Sequence, residues 1–180
     1  PGIYNTEQIK GWKKVVDSVH QVNGKIILQI WHCGRTGTIE NLGVNPIGPS
    51  NIKNRHKSRR GNEFVDNSEP RELKVEEIKY YVDLFERCAL NAKEAGFDGI
   101  QLHGANGYLI DNFIRDCSNQ RNDEYGGSIE NRCRFPIEVM DRMIKVFGAG
   151  RVGIKISPCG RLNDMFDSDP EKTYGYLLKE

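Results

Sequence analysis

Alternating helix and strand signals, strands with one wholly aliphatic side, and a polar residue near the C-terminal end of each strand predict an α/β protein. Its centre is expected to be a parallel sheet with crossover helices. Three helical stripes and three β-rich runs follow one another along the 180 residues. This pattern fits either a doubly wound sheet or a (β/α) barrel.

The first stripe is Ile9, Trp12, Val16 and Val19, with Lys10, Lys13, Lys14 and Asp17 on the opposite face. Asn5 followed by Gln8 has the form of a capping box, and Asn23-Gly24 is a stop signal, so a helix is expected over 6–22. Lys25 to Trp31 is short, rich in β-branched residues and bounded by Gly24 and Gly34, which predicts a strand buried on both faces. Residues 34–73 show no period and read as a long loop region, of the kind that forms lids or binding loops. Val75, Ile78, Val82, Phe85, Ala89 and Ala92 alternate three- and four-residue steps up to Gly96, the clearest helix of the chain. A second strand is expected over 98–103, followed by the turn-rich Gly104-Ala105-Asn106-Gly107-Tyr108. A third long helix is expected over 128–147, capped by Ser128, burying Ile129, Cys133, Ile137, Met140 and Ile144, and carrying Pro136 as a possible kink. The third strand is Val152 to Ser157, closed by Pro158.

Side chains alternate along a strand, so Ile26, Leu28 and Ile30 oppose Gln29, Ile100 and Leu102 oppose Gln101 and His103, and Ile154 and Ile156 oppose Lys155. Ligands of parallel α/β folds sit beyond the carboxyl ends of the strands. Gln29, His103 and Lys155 are therefore expected to converge on one ligand, the bland alternative being that each meets water at a strand end.

Composition narrows the partners. There are 26 Lys plus Arg against 25 Asp plus Glu, a net charge of +1, which gives no general attraction to nucleic acid or an acidic membrane. No run approaches the ~18 apolar residues of a membrane-spanning helix, and the opening residues lack the marks of a signal peptide, so a cytoplasmic protein is expected. The five cysteines are spread out with no C-x-x-C pair, indicating neither a disulfide framework nor a zinc site. The chain begins at Pro1 and ends within what reads as a new helix, so a segment of a longer protein is expected.

The chemistry concentrates in His103-Gly-Ala-Asn106-Gly-Tyr108. Imidazole and amide N–H groups can both donate to one oxygen, as an enone carbonyl requires when negative charge builds on it during reduction. A phenol with a pKa of about 10 is a poor acid toward water but adequate toward an enolate carbon. The cluster reads as oxyanion stabilisation with proton donation, or else as a satisfied turn beside a core histidine. With one classical ligand present, no metal site is expected.

Five segments, Gln29–Arg35, Ala95–Ile100, His103–Phe113, Asp123–Phe135 and Arg151–Pro158, resemble in order and spacing the Old Yellow Enzyme family, closest to its 12-oxophytodienoate-reductase-like NADPH dehydrogenases. The resemblance implies an FMN-dependent (β/α)8 barrel that takes hydride from NADPH and delivers it to the β-carbon of an α,β-unsaturated carbonyl compound. It implies that Gln29 pairs with the flavin pyrimidine edge, that His103 and Asn106 grip the substrate carbonyl oxygen, and that Tyr108 protonates the α-carbon. Lys155 stands where the family usually has arginine beside the flavin; lysine keeps the positive charge without the planar fork. A barrel of this type needs about 250 residues, so the chain is expected to be a partial barrel holding about its third to fifth strands. The alternative of another class is a truncated remnant that binds no flavin by itself.

Other features have plainer readings. The basic run Lys53 to Arg60 reads as a solvated lid loop rather than a contact for nucleic acid or the NADPH phosphate, because no aromatic residues are interleaved. His32 and Cys33 read as non-catalytic wall. Arg132 and Arg134 are expected in surface ion pairs rather than in a phosphate clamp.

Overall fold

The computed structural model describes all residues from Pro1 to Glu180. In chain order the elements are α1 (Thr6–His20), β1 (Ile27–Ile30), α2 (Ile39–Leu42), β2 (Ile47–Gly48), β3 (Lys57–Arg60), β4 (Glu63–Asp66), β5 (Arg71–Glu72) and α3 (Val75–Glu94). They continue with β6 (Gly99–Gly104), α4 (Leu109–Ile114), α5 (Ile129–Phe147), a 3-10 turn (Ala149–Arg151), β7 (Val152–Ile156) and α6 (Pro170–Lys179). The main sheet has the order β1-β6-β7, and β1 pairs with β6 in parallel, Ile27 opposite Gly99 and Gln29 opposite Gln101. No helix is long and apolar enough to cross a membrane.

The chain clusters into two compact units, one of Pro1–Ile30, Lys79–Leu102 and Glu138–Ile154, the other of Trp31–Ile78, His103–Ile137 and Lys155–Glu180. In the first unit, α1 begins as expected: the Asn5 side chain accepts from the Gln8 N–H, and the Gln8 side chain accepts from the Asn5 N–H. Val16, Val82, Phe85, Ala89, Phe97 and Ile100 are buried there, and Trp12 meets Phe97 edge-on at 5.6 Å. Gly96, with φ +92°, supplies the left-handed residue that ends α3. In the second unit Leu73, Leu109, Phe113, Phe135 and Tyr174 are buried, and the Phe113 and Phe135 rings lie 4.6 Å apart.

Asp98 clamps the start of the sheet. Its carboxylate accepts from His20 Nε2 at 2.9 Å, the Ile26 N–H at 2.9 Å and Lys25 Nζ at 2.9 Å. These partners, His20 foremost, hold the carboxyl well below the usual carboxylate range. A depressed native pKa adds stability above the unfolded value of about 3.9 and loses it as pH falls through the native one. Asp98→Asn is therefore expected to lower the denaturation midpoint at pH 7. The difference from the parent should shrink as titration proceeds below pH ~4; an offset constant with pH would contradict the clamp.

Several expectations are corrected. Within this chain β1 is not buried on both faces: Ile30 is buried, Leu28 is half-buried and Ile27 is 58% exposed. Cys133 of the expected stripe is buried, but Ile129, Ile137, Met140 and Ile144 are only half-buried, and the deepest face of α5 is Phe135, Val139, Met143 and Val146. That helix carries two apolar stripes, and periodicity alone ranked the shallower one first. Arg132 is buried, donating to the Ile114 and Gly127 carbonyls and to Thr173 Oγ1, with Asp167 at 3.6 Å. Arg134 is exposed and donates to the Glu124 carbonyl and the Asn131 side chain rather than to a carboxylate.

The aperiodic 34–73 segment holds α2, capped by Thr38 and Gly43, the parallel pair β2-β5, and the antiparallel hairpin β3-β4 turning at Gly61-Asn62. The basic run forms the first strand of that hairpin; Lys57, Arg59 and Arg60 are exposed, and Lys53 meets Glu69 at 3.4 Å.

Candidate active site

β6 buries Ile100 and Leu102 to 1% and 0% exposure, which commits Gln101 and His103 to the other side of the same strand. The chain then turns through Asn106 (φ +61°) and Gly107 (φ +75°). Asparagine is one of the few side chains at home in that left-handed region. At Gly107 even a methyl would meet Asn163 Cβ at 2.6 Å, so only glycine fits. Tyr108 occupies the N-cap of α4, and Asp111 in the first turn accepts from the Gly107 N–H at 2.8 Å. The turn-rich segment of the sequence thus passes directly into a helix.

His103, Tyr108 and Trp31 form an aromatic cluster. The His103 and Tyr108 rings are 5.2 Å apart at 89°, and Trp31 meets Tyr108 edge-on at 4.5 Å. The Ala105 N–H donates to His103 Nδ1 at 3.3 Å, so Nδ1 carries the lone pair and the ring proton is on Nε2. Burial, and then the charge of Lys155, push the His103 pKa down, favouring the neutral ring. His103 is therefore a neutral Nε2–H donor beside a phenol. Asn106 lies in the same turn with its residue half-buried, and Lys155 is exposed on β7.

Gln29 lies in the other unit, where its Nε2 donates to Gln101 Oε1 at 2.6 Å. One carboxamide oxygen and one amide NH2 remain for the edge of a planar heterocycle. His32 is half-buried, accepts from the Gly34 N–H at its Nδ1, and is lowered to about 4 by burial, so it is neutral at physiological pH. Burial pushes the neighbouring Cys33 thiol up.

Beneath the turn lies a buried ionic frame. Arg115 Nε donates to Asp111 Oδ1 and to the Tyr174 hydroxyl, both at 2.9 Å, and that hydroxyl donates to Asp111 Oδ1 at 2.8 Å. The guanidinium also reaches the Gly160 carbonyl at 2.7 Å and both the carbonyl and hydroxyl of Ser157. Sequence reasoning missed Trp31, Arg115 and Asn163 as parts of this site. Trp31, two residues beyond Gln29, was open to the alternation argument, and Arg115 to the i,i+4 spacing from Asp111; Asn163 meets partners too distant in sequence for any local signal.

Comparison with known proteins places this geometry. Residues 1–179 match the model of the NADH:flavin oxidoreductase / NADH oxidase family. The chain is 45% identical over 181 residues to 12-oxophytodienoate reductase 1 of Oryza sativa subsp. japonica, covering 100% of this chain and 47% of that protein. It is 45% identical over 188 residues to a probable flavin mononucleotide-dependent alkene reductase of Leishmania infantum, covering 99% of this chain and 51% of that protein. Among solved structures, the old yellow enzyme homologue from Zymomonas mobilis superposes with a TM-score of 0.96 at 38% identity, over 99% of this chain and 50% of that one. The chain thus spans about half the length of these relatives. Its β1-β6-β7 sheet with the helices between is part of a (β/α)8 barrel of Old Yellow Enzyme type. A family match running almost end to end, with the same fold in a relative of 38% identity, makes this chain a member of the NADH:flavin oxidoreductase / NADH oxidase family.

Proposed function

We propose that the chain belongs to an FMN-dependent ene-reductase that reduces the C=C bond of an α,β-unsaturated carbonyl compound with NADPH as electron source. The residues present suit FMN. The spare acceptor and donors of the Gln29–Gln101 pair match the alternating C=O and N–H groups of a flavin pyrimidine edge, and exposed Lys155 offers positive charge to a reduced, anionic ring. Held by Gln29 and Lys155, FMN would supply hydride-transfer chemistry, with NADPH as the electron source and the carbon β to the carbonyl as the acceptor.

The chain's own residues then manage charge and proton. His103 Nε2–H and the Asn106 carboxamide donate to the carbonyl oxygen, where negative charge grows; one such donor is commonly worth ~10²–10³ in rate. The Tyr108 hydroxyl gives its proton to the α-carbon. The observation that carries the reading is the tautomer of His103: the Ala105 N–H occupies Nδ1, leaving Nε2–H as the free donor within the Tyr108 cluster. The activities named for the rice and Leishmania relatives, a 12-oxophytodienoate reductase and a probable flavin mononucleotide-dependent alkene reductase, support the same substrate class and cofactor. Near-zero net charge suits a small-molecule substrate, and five free cysteines suit a cytoplasmic setting.

Mixed with FMN, the purified protein is expected to show a bound-flavin visible spectrum that NADPH bleaches without air. Adding 2-cyclohexenone should restore it and yield the saturated ketone. A spectrum identical to free FMN would mark the chain as a remnant without cofactor. A bleached band that the enone does not restore would overturn the ene-reductase reading.

A further inference from the structure

Asn106 is held in an unusual way. Its backbone is left-handed, φ +61°, and neither of its backbone polar groups joins a sheet or helix ladder. Both are taken by side chains from the segment after β7. The Asn106 N–H donates to Ser157 Oγ at 2.9 Å, and the Asn106 carbonyl accepts from Asn163 Nδ2 at 2.7 Å.

Asn163 is itself fixed on every side. Its N–H donates to His56 Nδ1 at 3.1 Å, its side-chain oxygen accepts from Asn54 Nδ2 at 3.3 Å, and its carbonyl accepts from Arg35 Nη2 at 3.1 Å. Arg35 and Asn54 are buried to 1% and 0% exposure, and Asn163 to 9%. Asn163 is also left-handed, φ +59°, and its Cβ closes the space over Gly107. A non-glycine residue in that region costs of order 1–3 kcal/mol, which persists where the surroundings over-determine it.

We propose that Asn163 is a positioning residue for the carbonyl-gripping Asn106: its carboxamide holds the Asn106 backbone in the left-handed turn and so aims the Asn106 side chain at the substrate oxygen. The inference rests on the ene-reductase reading and extends it to a residue outside the His103–Tyr108 turn. Through His56 and Asn54, it also ties the aim of Asn106 to the 34–73 segment.

The discriminating variant is Asn163→Asp. It keeps the shape, the tolerance for positive φ and the acceptor for Asn54, and puts a carboxylate oxygen in place of the N–H donor to the Asn106 carbonyl. Reduction of bound FMN by NADPH and its reoxidation by 2-cyclohexenone are measured separately. Reoxidation is expected to slow ~10- to 100-fold, the scale of a displacement near 1 Å at a reacting group, with the NADPH step unchanged in protein that retains FMN. Equal slowing of both steps, or of neither, overturns the proposal. Should Asn163→Asp not retain FMN, Ser157→Ala removes the partner of the Asn106 N–H and is expected to give the same split; its absence there overturns the proposal equally. If the parent protein itself is not reoxidised by the enone, it is the ene-reductase reading that fails.

Discussion

Tyr108→Phe is expected to slow reoxidation by an enone ~10²–10⁴-fold, the range for losing a positioned general acid, and to leave reduction by NADPH unchanged. The substitution removes only the hydroxyl. The ring keeps its edge contacts with Trp31 at 4.5 Å and His103 at 5.2 Å, so the turn and the N-terminus of α4 are preserved. The asymmetry arises because a proton is needed at the α-carbon only when the double bond is reduced. Rapid-mixing measurement of the two half-reactions separates them. Equal losses in both would remove Tyr108 from proton delivery and leave it a packing residue.

The second large effect is on stability. Arg115→Met is expected to cost about 3–5 kcal/mol, the range for breaking one side of a buried ion pair. Asp111 is fully buried, and burial pushes its carboxyl up while Arg115, the Gly107 N–H and the Tyr174 hydroxyl pull it back. Without the guanidinium, that carboxylate loses its countercharge, and the carbonyls of Ser157 and Gly160 lose a donor. The check is the midpoint of urea denaturation at unchanged slope. Pairing Arg115→Met with Asp111→Asn should recover part of the loss, because the stranded charge is removed as well. A loss below ~1 kcal/mol would place the pair with exposed ion pairs instead.

What the sequence disclosed tracks how locally each feature is determined. The capping box of α1 and the stripe of α3 depend on residues three and four apart, and both stand where periodicity placed them. Strand alternation put Ile100 and Leu102 in the core and left His103 at the far end of β6, next to Asn106 and Tyr108. The buried face of α5 was misread because two stripes with the same spacing compete, and only tertiary packing chooses between them. The β3-β4 hairpin was invisible because Lys57 to Arg60 is wholly polar and Phe64 and Val65 are too few to set an alternation, leaving Gly61-Asn62 as its main mark. Arg132, Asn163 and the burial of Arg115 were unreadable for another reason. Charged and amide side chains look like surface residues until partners 40 or more positions away satisfy them, as Thr173 does Arg132 and Ser157 does Arg115.

The left-handed turn at Asn106 has a consequence for anyone mutating this protein. The amide that would grip a carbonyl sits on one of the few backbones that asparagine tolerates and most residues do not. Saturation at that codon would therefore deplete nearly every amino acid for conformational reasons before chemistry is sampled. Glycine, which accepts the backbone and lacks the amide, is the one replacement whose phenotype reports the side chain alone.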